Sequence, residues 1–201
     1  MNNGNNLPKD CPIEMHPLQP FLPANGRLLM LGSFPPQRKR WCMEFYYPNY
    51  TNDMWKIFGL VFFNDPLHFV DTATKTYRKA LITDFLCAKG IGLYDTACAV
   101  RRLQDNASDK FLEVVTPTDI EALLREMPQC RSIVTTGQKA TETLCAHFSI
   151  VQPPVGGYTP FTLHGEPFRL YRMPSSSRAY PLPLAKKADA YRKMFDEVFP
   201  Q

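Results

Sequence analysis

The sequence lacks most of the marks that assign a chain to a common catalytic or membrane class. Its six cysteines, at 11, 42, 87, 98, 130 and 145, include no Cys-x-x-Cys pair, and no Cys/His group has zinc-finger spacing. No apolar run approaches the length of about 18 residues that a membrane span needs, and no secretory h-region is present. These absences predict reduced thiols, a cytoplasmic protein and no membrane partner. "TTGQKAT" (135–141) is not a phosphate loop, because Gln138 separates the glycine from the lysine and Ser132 stands where the first glycine belongs. No Gly-x-Ser-x-Gly elbow exists. The four histidines (16, 68, 147, 164) are scattered and read as surface or core residues. There is no internal repeat and no interdomain linker. A net charge of +4 permits a polyanionic partner without demanding one.

What is present is an ordinary globular composition, 44% hydrophobic and 21% charged, stiffened by 19 prolines. The length suits one domain. Residues 1–24, Asn-rich and then Pro-rich, read as an N-terminal arm packing along the surface, and 25–201 as a single domain.

Across that domain strand-like and helix-like segments alternate. "RLLML" (27–31), "IGLYD" (91–95), "RSIVTTG" (131–137) and "FRLYRM" (168–173) are short buried strands. Helical patterns cover 52–63, with Asn52 as N-cap, and 74–89, where Tyr77, Leu81 and Phe85 recur at spacings of four and Gly90 is a stop. Further helices are expected at 116–127, with a capping threonine, at 138–148, and from about Leu184 to Val198. The alternation predicts a three-layer α/β/α domain with a four-stranded, mainly parallel central sheet. Ligands of such sheets bind beyond the carboxyl ends of the strands. The turns at Gly32–Pro36, Asp95, Gly137 and 174–178 are therefore expected on one rim.

Three of these stretches carry usable chemistry. "GSFPP" turns sharply at Gly32 and is then locked by two prolines that donate nothing, which serves a plain structural turn or one presenting the Ser33 and Phe34 amides. "MPSSSRAY" joins a rigid proline to three hydroxyls and an arginine, suited to gripping phosphates or to an ordinary polar loop. "EFYYPNYTNDMW" offers aromatics able to stack on a base, or to pack half-buried. "QRKRW" (37–41) reads as a solvated basic turn within reach of phosphates.

Four stretches in order, "LLMLGSFPP", "YYPNYTNDMWKIFG", "GIGLYDTACAVRR" and "SIVTTGQKATETL" followed by "YRMPSSSRAY", resemble the uracil-DNA glycosylase superfamily. The resemblance covers most of 27–195 and is closest to the branch of mismatch-specific uracil- and hypoxanthine-DNA glycosylases. It implies a monofunctional enzyme of base excision repair, working without cofactor or metal and as a monomer. Such an enzyme flips a deaminated base (hypoxanthine, uracil or xanthine) out of DNA and hydrolyses its N-glycosidic bond. The loop Gly32–Pro36 matches the water-activating motif, and Asn52 matches an asparagine important in the hypoxanthine branch. Asn52 and Ser33 are thus the catalytic candidates. Tyr47 matches the aromatic that stacks on the flipped base, and with Phe34 and Asp95 it forms the base-binding set. Pro174, Ser175, Ser176 and Ser177, with Arg178 adjoining, match the loop that pinches phosphates and fills the gap. Three departures stand out: Phe34 replaces the polar third residue of the first motif, Pro36 replaces a glycine, and Met173 replaces a histidine. They keep open a DNA-binding relative without catalysis. The residues alone also allow an unrelated α/β hydrolase or ligand-binding domain.

Overall fold

A computed structural model describes residues 11–103 and 111–200. The first ten residues of the expected arm lie outside the described residues.

All four expected strands form, as β2 (Leu28–Gly32), β5 (Ile91–Asp95), β8 (Ser132–Thr135) and β10 (Glu166–Arg172). They are mutually parallel and lie in the order β5-β2-β8-β10. Every residue of β2 and β5 is buried, which explains their unbroken apolar sequence; a strand covered on both faces has no polar side to show. The sheet has a fifth strand that the sequence reading omitted, β9 (Gly157–Leu163), antiparallel to β10 at the edge. His164 and Gly165, both at positive φ (51° and 83°), make the two-residue turn joining them. Pro160 sits in β9, and an edge is where a strand accepts a proline.

A second sheet was also not expected. β1 (Ile13–Met15), β6 (Ala97–Arg102) and β7 (Leu112–Pro117) form an antiparallel trio in the order β1-β6-β7. Part of the supposed arm is therefore a strand, tied down by the register of Ile13 with Arg101 and Met15 with Ala99. Further along, Phe21 bridges to Leu93.

Five α-helices occur among the described residues: α1 (Met54–Phe63), α2 (Lys79–Lys89), α3 (Ile120–Glu126), α4 (Gln138–Phe148) and α5 (Leu184–Val198). The last two match their expected spans. Two others differ in instructive ways. The helix expected from 74 begins only at Lys79, because a small hairpin of β3 (Val70–Asp71) and β4 (Thr76–Tyr77) precedes it. Asp71 closes its turn by accepting from the amides of Ala73 and Thr74, and Lys75 takes φ 53°. α3 is capped by Asp119, whose Oδ1 accepts from the Ala122 amide, rather than by a threonine. Thr118 instead donates its hydroxyl to the Asp95 carbonyl.

One large core joins sheet and helices, with the Phe58, Phe62 and Phe195 rings holding α1 to α5. A smaller cluster of Phe34, Ala97, Val100 and Leu112 lies under the second sheet. From β2 the chain builds outward to β5 on one side and later to β8 and β10 on the other. β2 is thus the switch point, where parallel sheets leave a crevice beyond the strand ends. Among the described residues no helix is long and apolar enough to cross a membrane.

Candidate functional site

A pocket of about 140 Å³ opens at this point. Its walls come from the loop after β2, the 46–52 loop, the end of β5, Thr136 after β8, and the loop after β10. Of the expected residues Ser33, Phe34, Tyr47, Asn52, Asp95, Ser175, Ser176 and Ser177 line it. Pro174 and Arg178 do not: Pro174 is buried behind the wall, its carbonyl accepting from Tyr191, and Arg178 is exposed. Gly32, Pro35, Pro36, Tyr46, Pro48, Asn49, Arg102 and Thr136 complete the lining.

Gly32 is forced by its neighbour across the strands. Parallel register sets it opposite Asp95, and a Cβ at Gly32 would lie 2.3 Å from Asp95 Oδ1. Any side chain there would displace the carboxylate. Phe34 turns inward, 7% exposed, with one edge on the pocket and the rest in the small cluster.

The aromatic loop is held from several directions. Tyr47 takes φ 50°, an uncommon conformation for a side chain of its size, and its hydroxyl meets Thr136 Oγ1 at 3.0 Å. The Trp55 indole donates to the Tyr46 carbonyl. Tyr77 is no helix-face residue; its hydroxyl reaches the Asn52 and Tyr50 carbonyls at 2.8 and 3.0 Å. Burial is the main reason that the Tyr46, Tyr47 and Tyr77 hydroxyls lose their protons only far above the usual tyrosine range, and for Tyr46 and Tyr47 the nearby Asp95 carboxylate adds to the rise. Tyr46 and Tyr47 face the site as neutral groups.

Asn52 serves two purposes at once. It is not the N-cap expected from the sequence, since Asp53 holds that position and its carbonyl accepts the first helical bond; from one residue earlier, Asn52 Oδ1 accepts from the Met54 amide at 2.9 Å, while the residue also borders the pocket. Its Nδ2 has no partner among the described residues. The serine loop is fastened to the same corner. Asp53 donates its amide to the Ser176 carbonyl, and buried Lys187 donates to both Asp53 Oδ2 and the Ser177 carbonyl at 2.8 Å. Ser175 Oγ accepts from the Ser177 amide, and Ser177 Oγ from the Ala179 amide. The basic turn at Arg38–Arg40 is exposed, with Arg38 stacked on Trp41 and paired with Glu44.

Four residues escaped the sequence reading. His16, from the supposed arm, meets Asp95 Oδ2 at 2.9 Å with its side chain only 2% exposed. Arg102 lies buried on the pocket wall, gripping Glu14 and the Pro35 carbonyl. Thr136 orients Tyr47, and Lys187 joins two loops. Only Arg102 left a sequence signal, a charge at the end of an otherwise apolar strand face; the others join segments 79 to 134 residues apart.

The comparison that bears on this arrangement is with a solved protein. The chain shares its fold with a "putative Uracil DNA glycosylase" from Methanosarcina acetivorans. That solution NMR structure superposes with a TM-score of 0.60 at 22% identity, covering 92% of this chain and 98% of the other. At this identity the likeness establishes the α/β fold with its mainly parallel five-stranded sheet. No protein-family model and no curated protein sequence matches the chain.

Proposed function

We propose that the chain is a monofunctional DNA glycosylase that flips a deaminated base into the pocket at the end of β2 and hydrolyses its N-glycosidic bond. The observation carrying this reading is the convergence of segments spread from residue 32 to residue 177 on one pocket at the switch point. That pocket offers an aromatic wall (Phe34, Tyr46, Tyr47), an amide (Asn52), a buried carboxylate (Asp95) and a serine-rich lip. The shared fold and the ordered motifs support it.

The reaction sets three demands. The base must leave the stack, so the protein must hold the opened DNA. Half-buried Ser175 and exposed Ser177 and Arg178 suit that task, with buried Ser176 anchoring their loop and the basic turn at Arg38–Arg40 as a further phosphate contact. The extruded base needs a stacking surface, for which Tyr47 and Phe34 are placed on the wall. The departing base needs donors as it gains negative charge, and Asn52 Nδ2 is one. Ser33, on the first loop, lines the same pocket.

A second reading, a DNA-binding relative without catalysis, is favoured by the inward packing of Phe34. One experiment separates the two. Duplexes carrying hypoxanthine, uracil or xanthine are incubated with excess protein and then cleaved with alkali. Excision of any base supports the glycosylase. Salt-sensitive binding to all three duplexes without excision supports the second reading.

A further inference from the structure

We propose that Asp95, held by His16 from the N-terminal strand segment, is the water-activating carboxylate that the first motif lacks at Phe34. The inference rests on the glycosylase reading.

Phe34 has no polar side chain, and the one oxygen of the Asn52 amide is engaged by the Met54 amide. That bond takes one of the oxygen's two lone pairs, and a neutral amide is a poor proton acceptor. A carboxylate on the wall is the stronger base for an attacking water. Asp95 is the only carboxylate lining the pocket among the described residues. It sits level with Gly32, the first residue of the motif, across the parallel pair β2–β5. Its Oδ1 lies where a Gly32 side chain would be, and has no hydrogen-bond partner among the described residues. The missing side chain at Gly32 makes room for the carboxylate that Phe34 cannot supply.

The carboxylate is fixed from behind. His16 Nε2 meets Oδ2 at 2.9 Å, and Nδ1 lies against the backbone of Leu18, 2.9 Å from its carbonyl and 3.2 Å from its amide. The ring is enclosed by Phe34 and Tyr94, with centroids at 5.3 and 4.5 Å. With Nε2 donating to Oδ2, Oδ1 remains the free acceptor. His16 does not line the pocket, so it is a positioning residue, and Asp95 is the catalytic one.

In the step itself the C1′–N bond breaks and its electron pair leaves with the base. The water oxygen bonds to C1′ while its proton passes to Asp95 Oδ1. That proton then neutralises the base anion, and the carboxylate is restored. Before water attacks, the same negative charge faces the cationic sugar.

The test uses the full chain. Asp95→Asn keeps the shape and should lower single-turnover excision about 100-fold or more while leaving duplex affinity within the range of wild type. His16→Phe should lower the rate about 10- to 100-fold, again without loss of affinity. His16→Gln, which keeps an N–H near Nε2, should recover most of it, a rescue that packing alone would not give. A second measurement needs no turnover. Wild type should prefer a duplex bearing a cationic pyrrolidine in place of the target sugar over one bearing neutral tetrahydrofuran, and Asp95→Asn should lose that preference. An active wild type whose Asp95→Asn variant excises normally overturns this inference and leaves the glycosylase reading standing. A wild type that excises nothing and shows no preference for the cationic sugar overturns both.

Discussion

Replacing Asn52 separates its structural task from its chemical one. The Asn52 Oδ1 bond to the Met54 amide is a helix-start contact, and losing it in Asn52→Ala should cost about 0.5–2 kcal/mol. For a chain of this size that is a fall in Tm of about 1–8 °C. Asn52→Asp keeps an oxygen in the same place and should hold Tm close to wild type. The chemical task depends on Nδ2, which neither variant retains. If that donor stabilises the departing base, both should lose about 100-fold or more in single-turnover excision. Aspartate adds a negative charge beside a developing anion and should be the worse of the two. The assay is excision at saturating enzyme on the best substrate of the base panel, with thermal melts run alongside. The pattern to look for is a discordance: Ala loses stability and rate, Asp loses rate alone. A folded Ala variant that excises at nearly the wild-type rate would refute the catalytic role and leave Asn52 only its bond to the start of α1.

Three further outcomes follow from the geometry. Ser175→Ala with Arg178→Ala should weaken duplex affinity and flatten its salt dependence, while excision at saturating DNA changes less; unchanged affinity and slope in a folded variant would remove this loop from the interface. Lys187→Met leaves Asp53 without its buried partner and should cost about 3 kcal/mol, near the lower end for such pairs because the Asp53 side chain is 13% exposed; adding Asp53→Asn should restore part of the loss in denaturant melts. At alkaline pH the sign follows from Tyr46, Tyr47, Tyr77 and Tyr191, whose pKa values are raised in the fold. The unfolded chain gives up these protons near pH 10 and the folded chain keeps them. Stability should therefore fall as pH rises above about 10, by up to about 1.4 kcal/mol per pH unit for each such tyrosine. Tyrosinate absorbance should show these four ionising only with unfolding; their smooth titration in the folded protein would contradict it.

Four parallel strands and their rim were legible in the sequence, while antiparallel β9 and the second sheet were not. A four-residue apolar run such as Leu28–Leu31, too short for a helix and closed by Gly32, suits a strand buried on both faces, and strands that alternate with helices favour parallel pairing, so the loops after them share one end. That local logic brought Ser33, Phe34, Asp95 and three serines to a common pocket, though not Gly137; Tyr47 and Asn52, which also line it, were expected there only from the family resemblance. It failed where the deciding contact lies far along the chain. Tyr77 carries a helical spacing, but three carbonyls of the 49–52 loop draw its hydroxyl out of the helix. Ile13–Met15 is too short and too exposed to announce a strand; only the open edge of β6 makes it one. Pairing there carries His16 to Asp95 and Glu14 to Arg102. A lone histidine in a proline-rich stretch has no periodicity to read. Its role comes from a hydrogen bond across 79 residues, and the tertiary structure alone decides such a bond.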